Sequence, residues 1–239
     1  MRKLLVSDLD GTILPRTAHE IPTAVQNAIE KCVQNGADFC VCSGRSYADL
    51  KHFFRHFSVP VYYIGCDGAL LVYNNTVLYS RPIKSPLPPH LSNQNLLAYS
   101  DYLVYAADKN IPFYRAAMKN HNGHVLPLSD KKDNPIYKLA LFNAPLHACP
   151  HLSEVCRKNG WQEFVENGVS KGNTVKKLQE ILHYTANETI VFGDGENDIS
   201  MAQCGKSYVI GSGFFGCEKH FSNRAPTFLS ALAQSTELK

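Results

Sequence analysis

Over residues 1–80, short apolar runs alternate with longer segments in which apolar positions recur every three or four residues. The clearest helical segment opens at Pro22, a residue type that favours the first turn of a helix, and it ends before Gly36. Alternating strands and helices are typical of a parallel α/β sheet. The pattern predicts strands at 4–6, 39–42 and 61–64, helices at 22–35 and 47–57, and a hairpin formed by 69–73 and 76–79.

The pattern changes where prolines cluster between Pro82 and Pro89, a composition typical of a linker that leaves a domain. Beyond this linker the segments carry no recognisable motif, and 113–121 is ambiguous between helix and strand. The remaining segments predict a small α+β module with helices at 90–98 and 150–159 and strands at 101–107, 136–142 and 161–165.

The earlier alternation returns at Ser170. A module inserted into an interrupted α/β domain is the simplest organisation that explains this return. We therefore predict a core formed by 1–81 and 166–239 and an inserted domain at 82–165. In the second half of the core, the pattern predicts helices at 173–183 and 226–233, strands at 189–192 and 207–210, and one further helix after residue 198.

Composition and charge exclude several classes of protein. With 44% hydrophobic residues, a chain of 239 residues can bury a sizeable core. The net charge of +3 and the absence of a Lys/Arg run argue against nucleic-acid binding. No apolar run reaches the length of a secretory signal or a membrane span, so we expect a cytoplasmic protein without a membrane partner. The eight cysteines form no C-x-x-C motif and are expected to be reduced and structural, and no protein partner can be inferred.

Polar side chains cluster where the predicted core strands end. In open parallel sheets, ligands bind in the crevice outside the carboxyl ends of the strands. Clusters that are distant in sequence should therefore converge at that edge. The clustered residues are Asp8, Asp10, Ser43, Gly44, Asp194, Asn197 and Asp198, together with Lys171, which opens a predicted helix.

The chemistry of these side chains indicates a metal and a phosphate. Several carboxylates packed together repel one another unless a cation lies among them, and oxygen ligands suit Mg²⁺. A hydroxyl, a lysine and the amides of glycine-rich turns instead bind an anionic phosphate. A carboxylate that contacts the metal and faces the phosphorus can attack it and form an acyl phosphate. The crevice therefore predicts magnesium-dependent phosphoryl chemistry on a small phosphorylated metabolite.

Each cluster also has a simpler interpretation when taken alone. Asp and Gly after a strand most often form a turn, and Ser43 could cap the helix that follows it. Lys171 could be a solvated surface lysine, and Asp198 an exposed helix residue. Arg45 could form a salt bridge as readily as it could reach a substrate. The joint occurrence of the clusters favours a site over these separate interpretations.

Four strings in these clusters resemble, in order, the motifs of the haloacid dehalogenase superfamily. The long interval between the second and third strings resembles the Cof-like subgroup, whose type IIB α/β cap lies there. The resemblance implies a Rossmann-like core, with a parallel sheet flanked by helices and an inserted α/β cap, and it implies a phosphatase. The strings are Asp8-Leu9-Asp10-Gly11-Thr12, Ser43-Gly44-Arg45, Lys171-Gly172 and Gly193-Asp194-Gly195-Glu196-Asn197-Asp198.

The same resemblance implies roles for individual residues. Asp8 would be the nucleophile and a ligand of Mg²⁺. Asp10 would protonate the leaving group, then activate water, and its backbone carbonyl would contact the metal. Asp194 would be the second carboxylate on the metal, and Asp198 would order the water bound to it. The residues that would bind the phosphoryl group are Thr12, Ser43, Gly44, Lys171 and Asn197.

Two segments depart from the pattern that is common in the subgroup. Cys66-Asp67-Gly68 stands where Asn-Gly is common, and Gly211-Ser212-Gly213 stands where Gly-Asn-Ala is common. These departures leave the substrate contacts open. In the predicted cap, Arg115 or Lys138 could meet a second anionic group.

The sequence as a whole predicts hydrolysis of a small phosphate monoester, with sugar phosphates as the expected substrates and the cap closing over them. Two alternatives stay open. One is a phosphomutase similar to phosphomannomutase, because relatives with this cap type transfer the phosphoryl group back to a sugar. The other is a non-catalytic protein that binds sugar phosphates, although binding alone would not require both Asp8 and Asp10.

Overall fold

The computed structural model describes residues 2–84, 94–107, 110–121, 123–143, 149–213 and 216–236. Two sheets and the helices that pack on them account for most of these residues. The strands are β1 (Leu4–Ser7), β2 (Asp38–Cys42), β3 (Tyr62–Gly65), β4 (Leu70–Tyr73), β5 (Thr76–Ser80), β6 (Leu96–Tyr99), β7 (Val104–Ala106), β8 (Val125–Pro127), β9 (Lys138–Phe142), β10 (Leu152–Lys158), β11 (Trp161–Glu166), β12 (Thr189–Gly193), β13 (Lys206–Ile210) and β14 (Asn223–Ala225). The α-helices are α1 (Thr23–Gln34), α2 (Tyr47–Phe53), α3 (Ile111–Asn120), α4 (Lys171–Leu182), α5 (Ile199–Ala202) and α6 (Phe228–Thr236).

The larger sheet has eight strands in the order β14-β13-β12-β1-β2-β3-β4-β5. The pairs from β14 to β3 are parallel, whereas β4 and β5 join as antiparallel strands. All four residues of β1 are buried because helices cover both faces of the sheet. Leu5 packs in one core cluster with residues of α1, α2 and α6, and Leu4 and Val6 pack in another with residues of α4 and α5. The α/β fold class predicted from the sequence is thereby confirmed.

The smaller sheet has six strands in the order β10-β11-β9-β6-β7-β8, and every pair except β7 with β8 is antiparallel. All of its strands lie between Leu96 and Glu166, inside the interval where the chain leaves the larger sheet. The ambiguous segment 113–121 lies within α3 up to Asn120, and the Asn110 side chain accepts a hydrogen bond from the Phe113 amide at the helix start. The division at 82 and 165 into core and cap stays a prediction.

Two predicted helices are wrong. The segment 150–159 forms strand β10, which pairs with β11 across a turn at Asn159 and Gly160, both with positive φ. A shift of register between Glu154 and Cys156 interrupts the strand's alternation, and this interruption produced a pattern close to helical spacing. The segment 90–98 ends in strand β6, while its first residues, 90–93, lie outside the described residues.

Other boundaries differ by a few residues. The strand predicted at 101–107 is confined to β7, and the helix predicted at 47–57 ends at Phe53. Much of the proline-rich linker, 85–89, lies outside the described residues. Within the described ranges, no helix combines the length and the apolar character that a membrane crossing requires.

Candidate active site

The carboxyl ends of two adjacent parallel strands place Asp8 beside Asp194. Asp8 follows β1 and its amide donates a hydrogen bond to the Phe192 carbonyl at 2.9 Å, while Asp194 directly follows β12. Asp198 comes from the short helical turn after Asp194. One carboxylate oxygen from each of Asp8, Asp194 and Asp198 lies within 4.8 Å of the other two, and all three residues are buried. The predicted convergence at this edge of the sheet is therefore present.

Lys171 lies among these carboxylates. It is the first residue of α4, it is only 1% exposed, and the Ser170 side chain caps its helix by accepting from the Asn173 amide. Its ammonium donates to Asp8 Oδ1 at 2.7 Å and to Asp198 Oδ1 at 2.6 Å. The interpretation of Lys171 as a solvated surface lysine is wrong, because its side chain is buried and its ammonium group pairs with two carboxylates of the site.

Asp198 is fully buried and both of its oxygens are engaged. Oδ1 accepts from Lys171, and Oδ2 accepts from the amides of Asp194 at 3.0 Å and Gly195 at 2.9 Å. The interpretation of Asp198 as an exposed helix residue is therefore wrong. These bonds hold the turn that carries Asp194, so Asp198 shapes the position of its neighbour.

Burial and crowding shift the protonation of these groups. Burial raises the pKa of Asp8 well above its ordinary value, against the opposing effect of Lys171. Burial also raises the pKa of Asp194, and the Asp198 charge adds to this effect while Arg16 opposes it. Burial lowers the pKa of Lys171, but the carboxylates of Asp198 and Asp8 outweigh burial and hold that pKa well above its ordinary value. Burial first, and repulsion from neighbouring carboxylates second, disfavour the charged forms of Asp8 and Asp194, and an added positive charge would favour those forms.

Two arginines reach the site from its open side. The Arg45 guanidinium binds both oxygens of Asp10, with Nε to Oδ2 at 2.7 Å and Nη2 to Oδ1 at 2.6 Å. Arg16 donates from Nη2 to Asp194 Oδ2 at 2.6 Å. Arg45 therefore does form the salt bridge considered from the sequence, but it forms it with a predicted catalytic residue.

Glycines allow the backbone to approach the carboxylates closely. Gly11 has φ +91°, and a Cβ there would lie 2.2 Å from Asp194 Oδ2. A Cβ at Gly44 would lie 2.9 Å from Asp67 Oδ2 and 3.1 Å from Lys138 Nζ. At both positions a side chain would displace a charged group of the site.

Ser43 and Thr12 are both buried, Ser43 directly after β2 and Thr12 in the turn that follows β1. Ser43 follows β2, is 2% exposed, and its hydroxyl accepts from the Arg45 amide at 3.3 Å. The Ser43 hydroxyl is not the cap of α2, because Ser46 accepts from the Asp49 amide at the start of that helix. Among the described residues, the buried Thr12 hydroxyl has no hydrogen-bond partner. Phosphate binding by Thr12 stays a prediction.

Asp67 and Lys138 extend the site beyond the motifs. Asp67 has φ 55° and accepts from Asn197 Nδ2 and from Lys138 Nζ, both at 3.0 Å. Lys138 is 2% exposed and also donates to the Gly44 carbonyl at 2.6 Å and to Glu163 Oε2 at 2.7 Å. A lysine of the smaller sheet therefore connects two loops of the larger sheet, those that follow β2 and β3, with a neighbouring strand of its own sheet.

Charge compensation explains how these buried ions are tolerated. Burial lowers the pKa of Lys138, but Asp67 and Glu163 together hold it well above its ordinary value. Burial raises the pKa of Asp67, yet the charges of Lys138 and Lys171 hold it below its ordinary value. Both groups are therefore charged at neutral pH.

The site opens into a crevice of about 420 Å³ between the two sheets. His121, at the end of α3, also faces this crevice and its Nδ1 lies 2.8 Å from Asp49 Oδ2. Tyr99, His121 and Glu163 lack any motif in the sequence, and only the pairing of the strands could have placed them here. The predicted residues that line the crevice are Asp8, Asp10, Ser43, Gly44, Asp194 and Asn197, and Lys171 and Asp198 lie behind them.

The donor set fits Mg²⁺ better than a softer metal. Three converging carboxylates provide hard oxygen ligands, which suit Mg²⁺. No cysteine or histidine belongs to that group of three. The site has more carboxylates than cationic side chains, since Asp8, Asp194 and Asp198 face Lys171 and Arg16. A divalent cation would balance this excess of negative charge.

Comparison with known proteins agrees with this geometry. The profile of a family described as haloacid dehalogenase-like hydrolase matches residues 5–214. A Bacillus subtilis protein named "Putative phosphatase YkrA" is 27% identical over 223 residues, which are 84% of this chain and 82% of that protein. The Escherichia coli protein named 5-amino-6-(5-phospho-D-ribitylamino)uracil phosphatase YbjI is 23% identical and covers 87% of this chain and 84% of its own length.

Solved structures share the whole architecture. A haloacid dehalogenase-like hydrolase from Bacteroides thetaiotaomicron superposes with a TM-score of 0.84 at 18% identity, covering 98% of this chain and all of that chain. One from Bacillus subtilis gives a TM-score of 0.80 at 16% identity, covering 99% of this chain and all of its own. At these identities the likeness shows a common fold.

Proposed function

Because this chain belongs to the haloacid dehalogenase-like hydrolases, we propose that it is a phosphatase that hydrolyses small phosphate monoesters, sugar phosphates among them, with Mg²⁺ and through an aspartyl-phosphate on Asp8. One observation carries the proposal. Carboxylate oxygens of Asp8, Asp194 and Asp198 converge within 4.8 Å beside a buried lysine that binds two of the three.

In the first step, an Asp8 oxygen forms a bond to phosphorus and the bond between phosphorus and the ester oxygen breaks. Asp10 takes up a proton from solvent once the entering ester displaces Arg45, and it gives this proton to the departing alcohol. Lys171, which already contacts Asp8, stabilises negative charge on the phosphoryl oxygens, and the Ser43 hydroxyl and the Gly44 amide bind those oxygens from the other side.

In the second step, Asp10 takes a proton from water as that water attacks the phosphorus. The bond between Asp8 and phosphorus breaks, which releases inorganic phosphate and restores the carboxylate. Arg45 holds both Asp10 oxygens in the free protein, so an entering ester has to open at least one of these bonds before Asp10 can transfer a proton.

Asp8, Asp194 and the Asp10 backbone carbonyl would hold Mg²⁺, with Asp198 positioning the loop behind them. When bound, the ion supplies positive charge that offsets the carboxylate repulsion and withdraws electron density from the phosphoryl group. The raised pKa values of Asp8 and Asp194 support this assignment, because burial disfavours their charged forms and a bound cation would favour those forms.

The test is phosphate release from a broad panel of phosphate esters in the presence of Mg²⁺. We expect Asp8→Asn to lower kcat at least about 10³-fold, as loss of a nucleophile does. Asp38→Asn is the matched control, because Asp38 begins β2 at the other end of the sheet and binds Arg2 and Tyr184. Acid quenching followed by mass spectrometry should detect phosphate on Asp8 in the wild-type protein.

The alternatives give different results in the same assay. If a bisphosphate activator yields an isomerised sugar phosphate in place of free phosphate, the chain is a mutase. Tight binding without turnover would identify a sugar-phosphate-binding protein. The proposal is refuted if wild type and Asp8→Asn release phosphate from the panel at indistinguishable rates.

A further inference from the structure

A second cavity opens beside the crevice, on the same face of the smaller sheet. Its volume is about 540 Å³, within the range of pockets that hold small molecules. Leu97, Phe142 and Trp161 line its floor, and Phe113 lines the wall formed by α3. Phe113, Phe142 and Trp161 form an aromatic group in this lining, and the ring centroid of Trp161 lies 5.1 Å from that of Phe142 and 6.1 Å from that of Phe113.

The strand register sets the floor of this cavity. Trp161 pairs with Phe142, so both side chains point to one face, and the residues two positions along each strand point to that face as well. Lys138 lies on this face of β9, four residues before Phe142. Four residues of a strand span about 13 Å. The aromatic floor is therefore separated by about this distance along the strand from Lys138, which contacts the loops of the larger sheet.

Small side chains on α3 keep the cavity open. Phe113, Ala116, Ala117 and Asn120 recur at helical spacing and face the cavity. The two alanines lie in the middle of this row, opposite the aromatic floor. Protein interiors are packed to high density, so a space of this size that is lined by alanines and rings is not a small packing defect.

The two cavities meet at three side chains. Tyr99, His121 and Glu163 line both the crevice and the second cavity. Each is held in place: Glu163 accepts from Lys138, His121 binds Asp49, and the rings of Tyr99 and His121 meet at 5.6 Å. A ligand whose phosphate lies at Asp8 could therefore pass these polar groups and reach the aromatic floor.

We propose that the second cavity binds the far end of the leaving group, and that the substrate is a phosphate ester in which a polar stem joins the phosphate to an aromatic or heteroaromatic ring. The ring would stack among Phe113, Phe142 and Trp161, and the stem would contact Tyr99, His121 and Glu163. This assignment rests on the proposed phosphatase function. It narrows the substrate class beyond simple sugar phosphates.

The test compares two esters that are the same at the reacting bond, 4-phenylbutyl phosphate and n-butyl phosphate. We expect kcat/KM for the phenyl ester to be at least about tenfold higher, since a buried phenyl ring gains from leaving water. In Ala116→Phe, which fills the cavity from an exposed helix position, the ratio of the two values should fall close to one. Met118→Phe places the same ring on the same helix, at a position that does not line the cavity, and should keep the wild-type ratio.

Binding of the matching phosphonates, measured by calorimetry, gives a readout that needs no turnover. The phenylbutyl compound should bind at least about tenfold more tightly than the butyl compound, and Ala116→Phe should abolish the difference. Equal affinities, or a ratio of kcat/KM that Ala116→Phe leaves unchanged, overturn the assignment of the cavity even if both esters are hydrolysed. The phosphatase proposal is overturned instead if wild type releases phosphate no faster than Asp8→Asn from these two esters and from every ester of the broad panel. The phosphonates then still decide what the cavity binds.

Discussion

At the scale of single residues, the buried charges that suit the proposed chemistry lower the stability of the folded protein. Asp8 is 5% exposed, and its charge is removed from water and placed near two other carboxylates. Lys171 compensates only part of this cost, because it is shared with Asp198. A carboxylate in such a position is poorly solvated and ready to bind a cation or attack an electrophile.

Asp8→Asn should therefore stabilise the metal-free protein. The pKa of Asp8 is raised in the folded state, so wild type loses stability as the pH rises from about 3.8 through that higher pKa. The variant has no such loss. At pH 7 we expect its Tm to be higher by roughly 2–4 °C, the shift that about 1 kcal/mol produces in a chain of this length, with no difference below the unfolded pKa.

Thermal unfolding in EDTA across pH 3–8 measures this difference. Asp38→Asn serves as control and should lower Tm, because Asp38 accepts hydrogen bonds from Arg2 and Tyr184. Addition of Mg²⁺ should then raise the Tm of wild type more than that of Asp8→Asn. A lower Tm for Asp8→Asn than for wild type at pH 7 would show that the Asp8 carboxylate stabilises the fold.

Gly11→Ala should damage the site far more than the fold. Gly11 and Gly36 both have φ +91°, so an alanine at either position suffers the same backbone strain of about 1–2 kcal/mol. Only at Gly11 would the added Cβ meet a neighbour, the Asp194 carboxylate at 2.2 Å, whereas nothing lies within 4 Å at Gly36. We expect Gly11→Ala to lower kcat/KM about a hundredfold, the cost of a displacement of about 1 Å, and to abolish the Mg²⁺-induced rise in Tm.

Gly36→Ala is the matched variant and should reproduce the loss of stability without the loss of activity. Phosphate release and Tm in the presence and absence of Mg²⁺ are the two measurements. If both variants keep wild-type kcat/KM, Asp194 can move without consequence and its assignment to the metal is wrong.

At the scale of secondary-structure elements, the ends of helices and strands position the reactive groups. Helix α4 begins at Lys171, and the Ser170 hydroxyl fixes that start by accepting from the Asn173 amide at 3.1 Å. Close packing holds the same turn, since a Cβ at Gly172 would lie 2.1 Å from the Ser200 carbonyl oxygen of α5. Any loosening of this helix start moves the Lys171 ammonium away from Asp8.

Ser170→Ala tests this coupling between a helix cap and the site. Loss of an N-cap costs about 1 kcal/mol, so Tm should fall by a few degrees. Thr227→Ala is the control, because Thr227 accepts from the Ser230 amide near the start of α6, which packs on the far side of the sheet from α4. Both variants should lose similar stability, but only Ser170→Ala should also lower kcat, by about tenfold. Equal kcat values for the two variants would show that the cap does not position Lys171.

The sequence predicted the core elements well because their hydrophobic patterns are simple. Strands β1, β2 and β12 are short buried runs of apolar residues. A short motif of polar and glycine residues follows each of them directly in sequence, and these motifs contain the predicted site residues. Strand β6 was missed because both of its faces are buried: Leu96 and Leu97 pack in different clusters, so no alternation is visible.

Residues of the site that come from the smaller sheet could not be predicted in this way. The sequence offers Lys138 only as one of two cap residues that could meet a second anionic group, and Glu163 carries no signal at all. Their contact depends on the pairing of β9 with β11. The sequence marks Asp67 only as part of Cys66-Asp67-Gly68, a departure from the Asn-Gly that is common in the subgroup. Its role depends on a left-handed backbone and on a lysine distant in sequence, and neither can be derived from local pattern.

At the scale of the whole molecule, the two sheets are joined through buried charges as well as apolar contacts. Lys138 of β9 binds Asp67 and the Gly44 carbonyl, and both of these belong to loops of the larger sheet. Its third partner, Glu163, belongs to its own sheet. Removing one member of a buried ion pair leaves the partner's charge without compensation, which typically costs 3–5 kcal/mol.

A double-mutant cycle of Lys138→Met and Asp67→Asn should therefore be strongly non-additive. We expect Lys138→Met alone to cost about 3–5 kcal/mol of unfolding free energy and the double variant to cost less than the sum of the single variants by about 1–3 kcal/mol. The folded pKa of Lys138 is raised and that of Asp67 lowered, so this coupling is complete between about pH 5 and 9. It declines only as the pH falls through the pKa of Asp67 or rises through that of Lys138.

Urea unfolding at pH 7 measures the cycle, and the exposed pair Lys177 and Glu180 provides the matched comparison. Side chains that are 43% and 66% exposed are screened by water, so their coupling should stay below about 0.5 kcal/mol.

A strong coupling for Lys138 with Asp67 means that the contact between the sheets depends on charge placed inside the catalytic crevice. Opening that contact would then release Asn197 and Gly44 together, because Asp67 binds the first and Lys138 the second. If the changes in unfolding free energy at positions 138 and 67 are additive, the apolar contacts hold the sheets together and the buried charges do not contribute to that contact.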